Sequence, residues 1–146
     1  CLVGSEMCIR DRLRDEEFFW RIGSLTNNII GIFDIDGFTQ ETHEHYRRNT
    51  DLKKVMNNCE TFAMTNSYTE VFTVVFKHNQ HEIDMISDWC KERGIVHKPF
   101  QSNRFVKDSS YKYTWKDKEY ILEQTTDKRF LDTYEVDGRT VRDWRK

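Results

Sequence analysis

The feature that most constrains the fold of this chain is a dense apolar run over residues 29–33, which ends in two carboxylates and a glycine. Such a run is typical of a strand that is buried on both faces, as the strands of parallel α/β sheets are. Asp34, Asp36 and Gly37 follow at the carboxyl end of this strand. Ligands of α/β folds bind just outside that end, so we expect these carboxylates to lie where chemistry is performed.

Helical and strand patterns alternate around this run. Apolar residues recur at helical spacing over 15–25, 51–65 and 80–93, and apolar runs at 71–76 and 95–100 predict two further strands. The short connections between these segments favour βαβ units and therefore a parallel sheet. We predict an α/β fold over 13–106, in the form of a partial (βα) barrel with about three parallel strands and their helices.

The pattern changes after residue 106. Short strand-like runs flank turn signals at 116–118 and 137–138, which predicts β-hairpins. We therefore expect 107–146 to be a hairpin-containing extension, either an appendage of the α/β part or the start of another module.

The first twelve residues resemble the peptide that is produced when a sequencing adapter is translated in frame. A signal peptide is the competing interpretation, but its apolar core would be interrupted by Glu6 and Arg10. We expect 1–12 to be an artefactual or disordered leader, and the chain to be a fragment of a longer protein.

Composition excludes several classes of function. The formal net charge of -2 gives no general attraction to nucleic acid or to an anionic membrane. No apolar run approaches the roughly 20 residues that span a bilayer. The cysteines form no CxxC pair, and Cys59 and Cys90 fall on apolar helix faces, which favours buried thiols in a reducing cytoplasm. We predict a cytoplasmic protein with no metal site among these residues and no membrane or nucleic-acid partner.

The segment Phe33-Asp34-Ile35-Asp36-Gly37 resembles the first motif of haloacid-dehalogenase-type phosphatases. The resemblance implies that Asp34 attacks phosphorus and that Asp36 acts as acid and base, with magnesium between them. Other parts of that family's pattern are missing. Phe38 stands where threonine usually follows the glycine, and Lys77 follows the second strand where that family has threonine or serine.

A second resemblance rests on a longer set of residues. In chain order they are Ile35-Asp36-Gly37, His43, Tyr46-Arg47-Arg48-Asn49-Thr50, Lys54-Val55-Met56, Asn58, Val75-Phe76-Lys77-His78-Asn79, Gln80-His81-Glu82-Ile83, Lys98 and Arg104-Phe105. This stretch resembles the middle of a radical S-adenosylmethionine (radical SAM) enzyme barrel, of the kind that precedes a SPASM-type cluster module. Order and spacing agree over about ninety residues, so we prefer this interpretation to the phosphatase.

The radical SAM resemblance implies a TIM-like partial barrel with S-adenosylmethionine and a [4Fe–4S] cluster, which together generate a radical that abstracts hydrogen from substrate. The substrate is left open, with a peptide as one candidate. Arg47 is implied to pair with the methionyl carboxylate, and Asp34 to accept from ribose hydroxyls. The full set of implied cofactor-binding residues is Asp34, Asp36, Gly37, Arg47, Lys77, His78 and Asn79.

The cluster motif of that family, CxxxCxxC, does not occur in this chain, and Cys1 and Cys8 have the wrong spacing for it. Because a cluster needs its thiolates, we expect this chain alone to be inactive. A third hypothesis is a non-catalytic α/β binding module, in which Asp34, Asp36, Arg47 and Lys77 do not converge on one cavity. The barrel fragment instead predicts parallel strands in sequential order, with Asp34 and Lys77 on one rim.

Overall fold

The computed structural model describes residues 6–8, 14–25, 28–102, 105, 110–131, 133–136 and 139–142. Four parallel strands form one sheet in sequential order. They are β1 (Glu6–Cys8), β2 (Ile30–Asp34), β3 (Tyr68–Val75) and β4 (Val96–Gln101). The connections contain α1 (Glu16–Leu25), α2 (Gln40–Tyr46), α3 (Leu52–Ala63) and α4 (Ile83–Glu92), the last of which follows a short 3-10 turn, Gln80–Glu82.

The α/β fold and the sequential order of the parallel strands are therefore confirmed. Two elements go beyond the sequence pattern. β1 lies inside the leader that we set apart from the fold, and it pairs with β2 over three residues, so the sheet has four strands rather than about three. α2 has seven residues and opens with the cap Thr39. Both elements are too short to show a repeating apolar pattern, which is why the sequence did not reveal them.

Helices α1, α3 and α4 pack on one face of the sheet. The main core joins Phe19 of α1, Phe62 of α3 and Trp89 of α4 to Phe33 and the other inward residues of β2 and β3. Side chains alternate between faces along a strand, so Gly31, two residues before Phe33, also faces these helices. A β-carbon at Gly31 would come within 2.4 Å of the Phe62 ring, so glycine allows α3 to approach the sheet closely.

The opposite face of the sheet carries acidic side chains near the carboxyl end of β2 and on β3. Asp34 and Asp36 point to this face, because they alternate with Phe33 and Ile35. An ion pair between Lys98 and the buried Glu70 joins β4 to β3. A second apolar cluster lies nearer the carboxyl ends of the strands; its buried members are Val74, Phe76, Phe105 and Leu122.

The two predicted hairpins are confirmed. β5 (Ser110–Trp115) pairs in antiparallel fashion with β6 (Lys118–Glu123), and β7 (Thr133–Val136) pairs with β8 (Arg139–Arg142). Lys116 and Asp117 have φ of 48° and 60°, as a two-residue hairpin turn requires. The turn at 137–138 lies outside the described residues. Hairpin β5–β6 packs on the sheet through Leu122, which belongs to the second apolar cluster.

In the part of the chain that the structure describes, no helix combines the length and the apolar character that crossing a bilayer needs.

Candidate functional site

The candidate site begins where β2 ends. Asp34 is the last residue of this strand, and Asp36 and Gly37 begin the loop that leads into α2. A β-carbon at Gly37 would lie 2.4 Å from the backbone nitrogen of His43. Only glycine therefore lets the first turns of α2 fold back against the end of β2. This close packing brings the carboxyl end of α2 over the two carboxylates.

Arg47 joins the two carboxylates. It follows the last residue of α2, and its backbone N–H donates to the carbonyl of His43. The side chain reaches Asp36 through Nε, 2.5 Å from Oδ2, and Asp34 through Nη1, 3.2 Å from Oδ2. The Asp36 side chain is fully buried, whereas those of Asp34 and Arg47 are 23% and 22% exposed. The pair Asp34–Arg47 is thus the part of this cluster that a ligand could reach.

Asp36 is a structural carboxylate in this arrangement. Oδ1 accepts from the backbone N–H of Val74, at 2.6 Å, while Oδ2 accepts from Arg47. Burial raises the pKa of Asp36 to about 6, although Arg47 and the Val74 N–H lower it. Burial also disfavours the charged form of Arg47, but the charges of Asp36 and Asp34 outweigh this and raise its pKa. Both oxygens of Asp36 are engaged, so it would meet a ligand only if Arg47 moved.

Asn79 lies under the loop that follows β2, and both the oxygen and the nitrogen of its side-chain amide bond to backbone groups. Nδ2 donates to the carbonyls of Asp36 and Val74, both at 2.9 Å. Oδ1 accepts from the backbone N–H of Phe76, at 2.7 Å. The side chain is fully buried. Asn79 therefore fixes the position of the Asp36 backbone relative to β3.

His43 supports the same loop from α2. Its Nδ1 accepts from the backbone N–H of Asp36, at 3.1 Å, which places the proton of a neutral ring on Nε2. Burial, and then the charge of Arg47, lower the pKa of His43 to about 4. No protein partner for Nε2 is present among the described residues. His43 is therefore a neutral ring held under the loop.

Glu82, at the end of the 3-10 turn before α4, caps the amino-terminal end of α2. Its Oε2 accepts from the backbone N–H groups of Phe38 and Thr39, at 2.6 and 3.3 Å. Its Oε1 accepts from the hydroxyls of Thr39 and Thr42, at 3.1 and 3.0 Å. A carboxylate that takes several donors at a helix start is stabilised both by these bonds and by the helix dipole.

Replacing Glu82 by alanine should lower the free energy of unfolding by about 2 kcal/mol, because the half-buried donors at the start of α2 lose their acceptor. Glu82→Gln should keep most of this stability, because an amide oxygen accepts from the two N–H groups and the amide nitrogen can donate to the threonine hydroxyls. Urea unfolding of the two variants measures the difference. Equal losses in both variants would mean that the negative charge, rather than the acceptor, stabilises the loop.

Lys77 and His78, two of the residues implied to bind cofactor, contact hairpin β5–β6 and α2 in the structure. Lys77 pairs with Glu123, at 2.9 Å, and is half exposed. The His78 ring stacks on Phe76, with ring centroids 5.3 Å apart, and lies 4.3 Å from the ring of His45. Burial, followed by the neighbouring His45, lowers the pKa of His78 to about 4.

The structure thus brings together three of the implied residues, Asp34, Asp36 and Arg47, and places Asn79 and Gly37 beneath them as supports. Arg104, which contributed to the resemblance, lies outside the described residues. Glu82 was not selected as a site residue. Its only sequence signal is a position at the start of a helix, and its partners lie about forty residues earlier in the chain.

Cys59 and Cys90 do not fit as ligands of an iron–sulfur cluster. Cys59 and Cys90 are fully buried and free, and they lie on α3 and α4. Burial raises the pKa of Cys59, and it raises that of Cys90 to about 12, so neither offers a thiolate. No group of three or more potential metal ligands occurs among the residues that the structure describes. The partly exposed groups that this site offers to a ligand are the carboxylate of Asp34 and the guanidinium of Arg47.

Comparison of the chain with protein-family models, with curated proteins and with solved structures finds no match. The geometry of the site is the remaining basis for its function.

Proposed function

We propose that this chain is the S-adenosylmethionine-binding part of a radical SAM enzyme, and that Asp34 and Arg47 are the residues that contact the cofactor. The observation that carries the proposal is the partly exposed pair that these two side chains form at the carboxyl end of β2. A carboxylate beside a guanidinium suits a ligand that has both hydroxyl groups and a carboxylate of its own. S-adenosylmethionine has a ribose and a methionyl carboxylate.

The position of the pair supports the proposal. Four parallel strands follow one another in chain order, and the helices of the main core pack on one face. Asp34 and Arg47 lie at the carboxyl end of the sheet, on the other face, which would line the interior of a closed barrel. Ligands of (βα) barrels bind at this end, where the residues that follow the strands converge.

The chemical roles of the two residues follow from their present contacts. Arg47 keeps Nε on the buried Asp36, so its guanidinium is held in one orientation. Its Nη1 is bonded to Asp34. A ligand carboxylate would take the place of Asp34 at this edge, and Asp34 would turn to accept from ribose hydroxyls. Bound next to a [4Fe–4S] cluster, S-adenosylmethionine would be a source of the 5′-deoxyadenosyl radical, but the CxxxCxxC motif that holds such a cluster does not occur in this sequence.

Further parts of the proposal concern the surroundings of the reaction. The buried free thiols of Cys59 and Cys90 favour a reducing cytoplasm as the compartment. The substrate stays open, with a peptide as the candidate that the resemblance implies.

The phosphatase is less well supported, because both oxygens of Asp36 are engaged in buried hydrogen bonds and neither is available to magnesium or to a leaving group.

The test is a calorimetric titration of the whole chain with S-adenosylmethionine. We expect binding to the unaltered chain and about tenfold weaker binding to Asp34→Asn, since one charge-assisted hydrogen bond is lost. Asp88→Asn is the matched control, because Asp88 is exposed on α4. Asp34→Asn leaves the buried pair of Asp36 and Arg47 intact, so its folding should be unchanged.

Three outcomes would contradict the proposal. Absence of any heat of binding at millimolar S-adenosylmethionine would favour the non-catalytic module. Hydrolysis of an aryl phosphate in the presence of Mg²⁺, with loss of hydrolysis in Asp34→Asn, would favour the phosphatase. Equal binding by Asp34→Asn and the unaltered chain would mean that Asp34 does not contact S-adenosylmethionine.

A further inference from the structure

The hairpin β5–β6 contacts the carboxyl end of α2, the part of the chain that supplies Arg47. The side chain of Arg48 donates to the hydroxyl of Tyr113 through Nη2, at 2.7 Å, and through Nε, at 3.1 Å. The same hydroxyl donates to the backbone carbonyl of His45. His45 in turn is 3.2 Å from the carbonyl of Ile121 through Nε2. His45 and Arg48, on either side of the end of α2, are therefore both bonded to one hairpin.

The Tyr113 hydroxyl supplies a hydrogen-bond donor to the carboxyl end of α2. The last carbonyls of a helix have no partner within the helix, and they need a donor from elsewhere. Tyr113 gives its single hydroxyl proton to the carbonyl of His45 and uses its lone pairs for Arg48. Arg47 lies between these two residues in sequence. One phenol thus fixes the backbone two residues before Arg47 and the side chain of the residue that follows it.

Aromatic stacking keeps this phenol in place. The rings of Tyr113 and Tyr120 stack across the hairpin, with centroids 5.4 Å apart and an angle of 17° between the planes. The guanidinium of Arg48 lies 3.6 Å from the centroid of the Tyr120 ring. Such cation–π contact adds to the hydrogen bonds of the same guanidinium. Hairpin and helix end are joined by contacts that leave little freedom to Arg48.

We propose that Tyr113 is a positioning residue, which acts through His45 and Arg48 to hold Arg47 against Asp34 and Asp36. The hairpin is then part of the binding site rather than a separate appendage. Its connection to the cofactor rests on the proposed function, but its effect on Arg47 does not. Without the Tyr113 hydroxyl, the end of α2 would lose a capping donor and the Arg47 side chain would sample other orientations.

The decisive variant is Tyr113→Phe, which removes only the hydroxyl and keeps the ring stacked on Tyr120. The readout is the Nε–H signal of Arg47 in ¹⁵N NMR spectra of the whole chain, since this group donates to the buried Asp36. We expect its exchange with solvent to become about fivefold faster, which is the effect of one ordinary hydrogen bond. Tyr111→Phe removes a hydroxyl from an exposed ring of the same strand and should leave the signal unchanged.

The second readout is affinity for S-adenosylmethionine, which should fall about fivefold in Tyr113→Phe and stay unchanged in Tyr111→Phe. Failure of the unaltered chain to bind S-adenosylmethionine would count against the proposed function alone, because the NMR signal of Arg47 still decides the role of Tyr113. An unaltered exchange rate of Arg47 Nε–H in Tyr113→Phe would overturn the inference. So would an equal change in Tyr111→Phe, which would show a general loosening of the hairpin.

Discussion

Replacing Arg47 by glutamine is expected to lower the free energy of unfolding by about 3 kcal/mol at pH 7.5, because it leaves a fully buried carboxylate without its countercharge. Asp36 has no exposure to solvent that could replace the lost interaction. Its remaining hydrogen bond, from the Val74 N–H, is too weak to stabilise a charge in an apolar interior. The change should be visible as a lower urea midpoint with an unchanged slope.

The loss should shrink as the pH falls. Burial raises the pKa of Asp36 in the folded chain to about 6, above the 3.8 of an aspartate in an unfolded chain. The native state therefore binds a proton that the unfolded state does not bind between these two values. This contribution to stability is fully present below pH 3.8 and is lost as the pH rises through about 6. At pH 5 Asp36 is mostly neutral, and a neutral acid has little need of Arg47.

Two controls separate this mechanism from a general effect of removing a cation. Arg21→Gln removes a guanidinium from the exposed face of α1 and should change stability by less than about 0.5 kcal/mol. The double variant Asp36→Asn with Arg47→Gln removes both charges and should recover most of the stability at pH 7.5, since two amides leave no buried charge. A loss in Arg47→Gln that is the same at pH 5 and pH 7.5 would contradict the pairing of Arg47 with an ionised Asp36.

The fold could be predicted well where apolar residues repeat. The run that ends at Asp34 identified β2, and the helical spacing around Phe62 and Trp89 identified α3 and α4, because these elements bury one continuous face. β1 and α2 were not predicted, since elements of three and seven residues are too short to show a repeating apolar pattern. The order of the strands followed from short βαβ connections, which leave few alternatives.

The site could be predicted only in part. Asp34 and Arg47 were expected to lie at one end of the sheet, and they form an ion pair there. The sequence could not predict that Asp36 is a buried structural carboxylate, because its hydrogen bonds come from Val74 and Asn79, at the end of the next strand. Lys77 was expected to line the cofactor cavity at the carboxyl end of the sheet. In the structure it pairs with Glu123 of hairpin β5–β6, and no local sequence pattern predicts where this hairpin packs.

These contacts divide the end of β2 into two layers. The lower layer is buried and contains Asp36, Asn79, His43 and Glu82; among the described residues its polar atoms bond to the protein, except for Nε2 of His43. The upper layer is the pair of Asp34 and Arg47, which is partly exposed and available to a ligand. A rigid lower layer reduces the entropy that a ligand must overcome when it orders the upper one. The stability of the lower layer is therefore a condition for affinity at the upper layer.

Among the neutral residues of the lower layer, Asn79 makes the largest contribution to its stability. Asn79→Ala should lower the free energy of unfolding by about 3 kcal/mol. The variant leaves the buried N–H of Phe76 and the carbonyls of Asp36 and Val74 without their partner. Each unsatisfied buried group costs about 1 to 3 kcal/mol, and partial relaxation limits the sum.

Asn79→Asp tests the direction of these bonds, because it keeps the shape and reverses half of the chemistry. A carboxylate still accepts from Phe76, but it cannot donate to the carbonyls of Asp36 and Val74 and would repel them. We expect a loss of at least the same size at pH 7.5. Asn57→Ala, in which an exposed amide on α3 loses one hydrogen bond to Glu16, should change stability by less than about 0.5 kcal/mol. Chemical denaturation of the three variants measures these differences, and an Asn79→Asp variant as stable as the unaltered chain would mean that the Asn79 amide does not donate to both carbonyls.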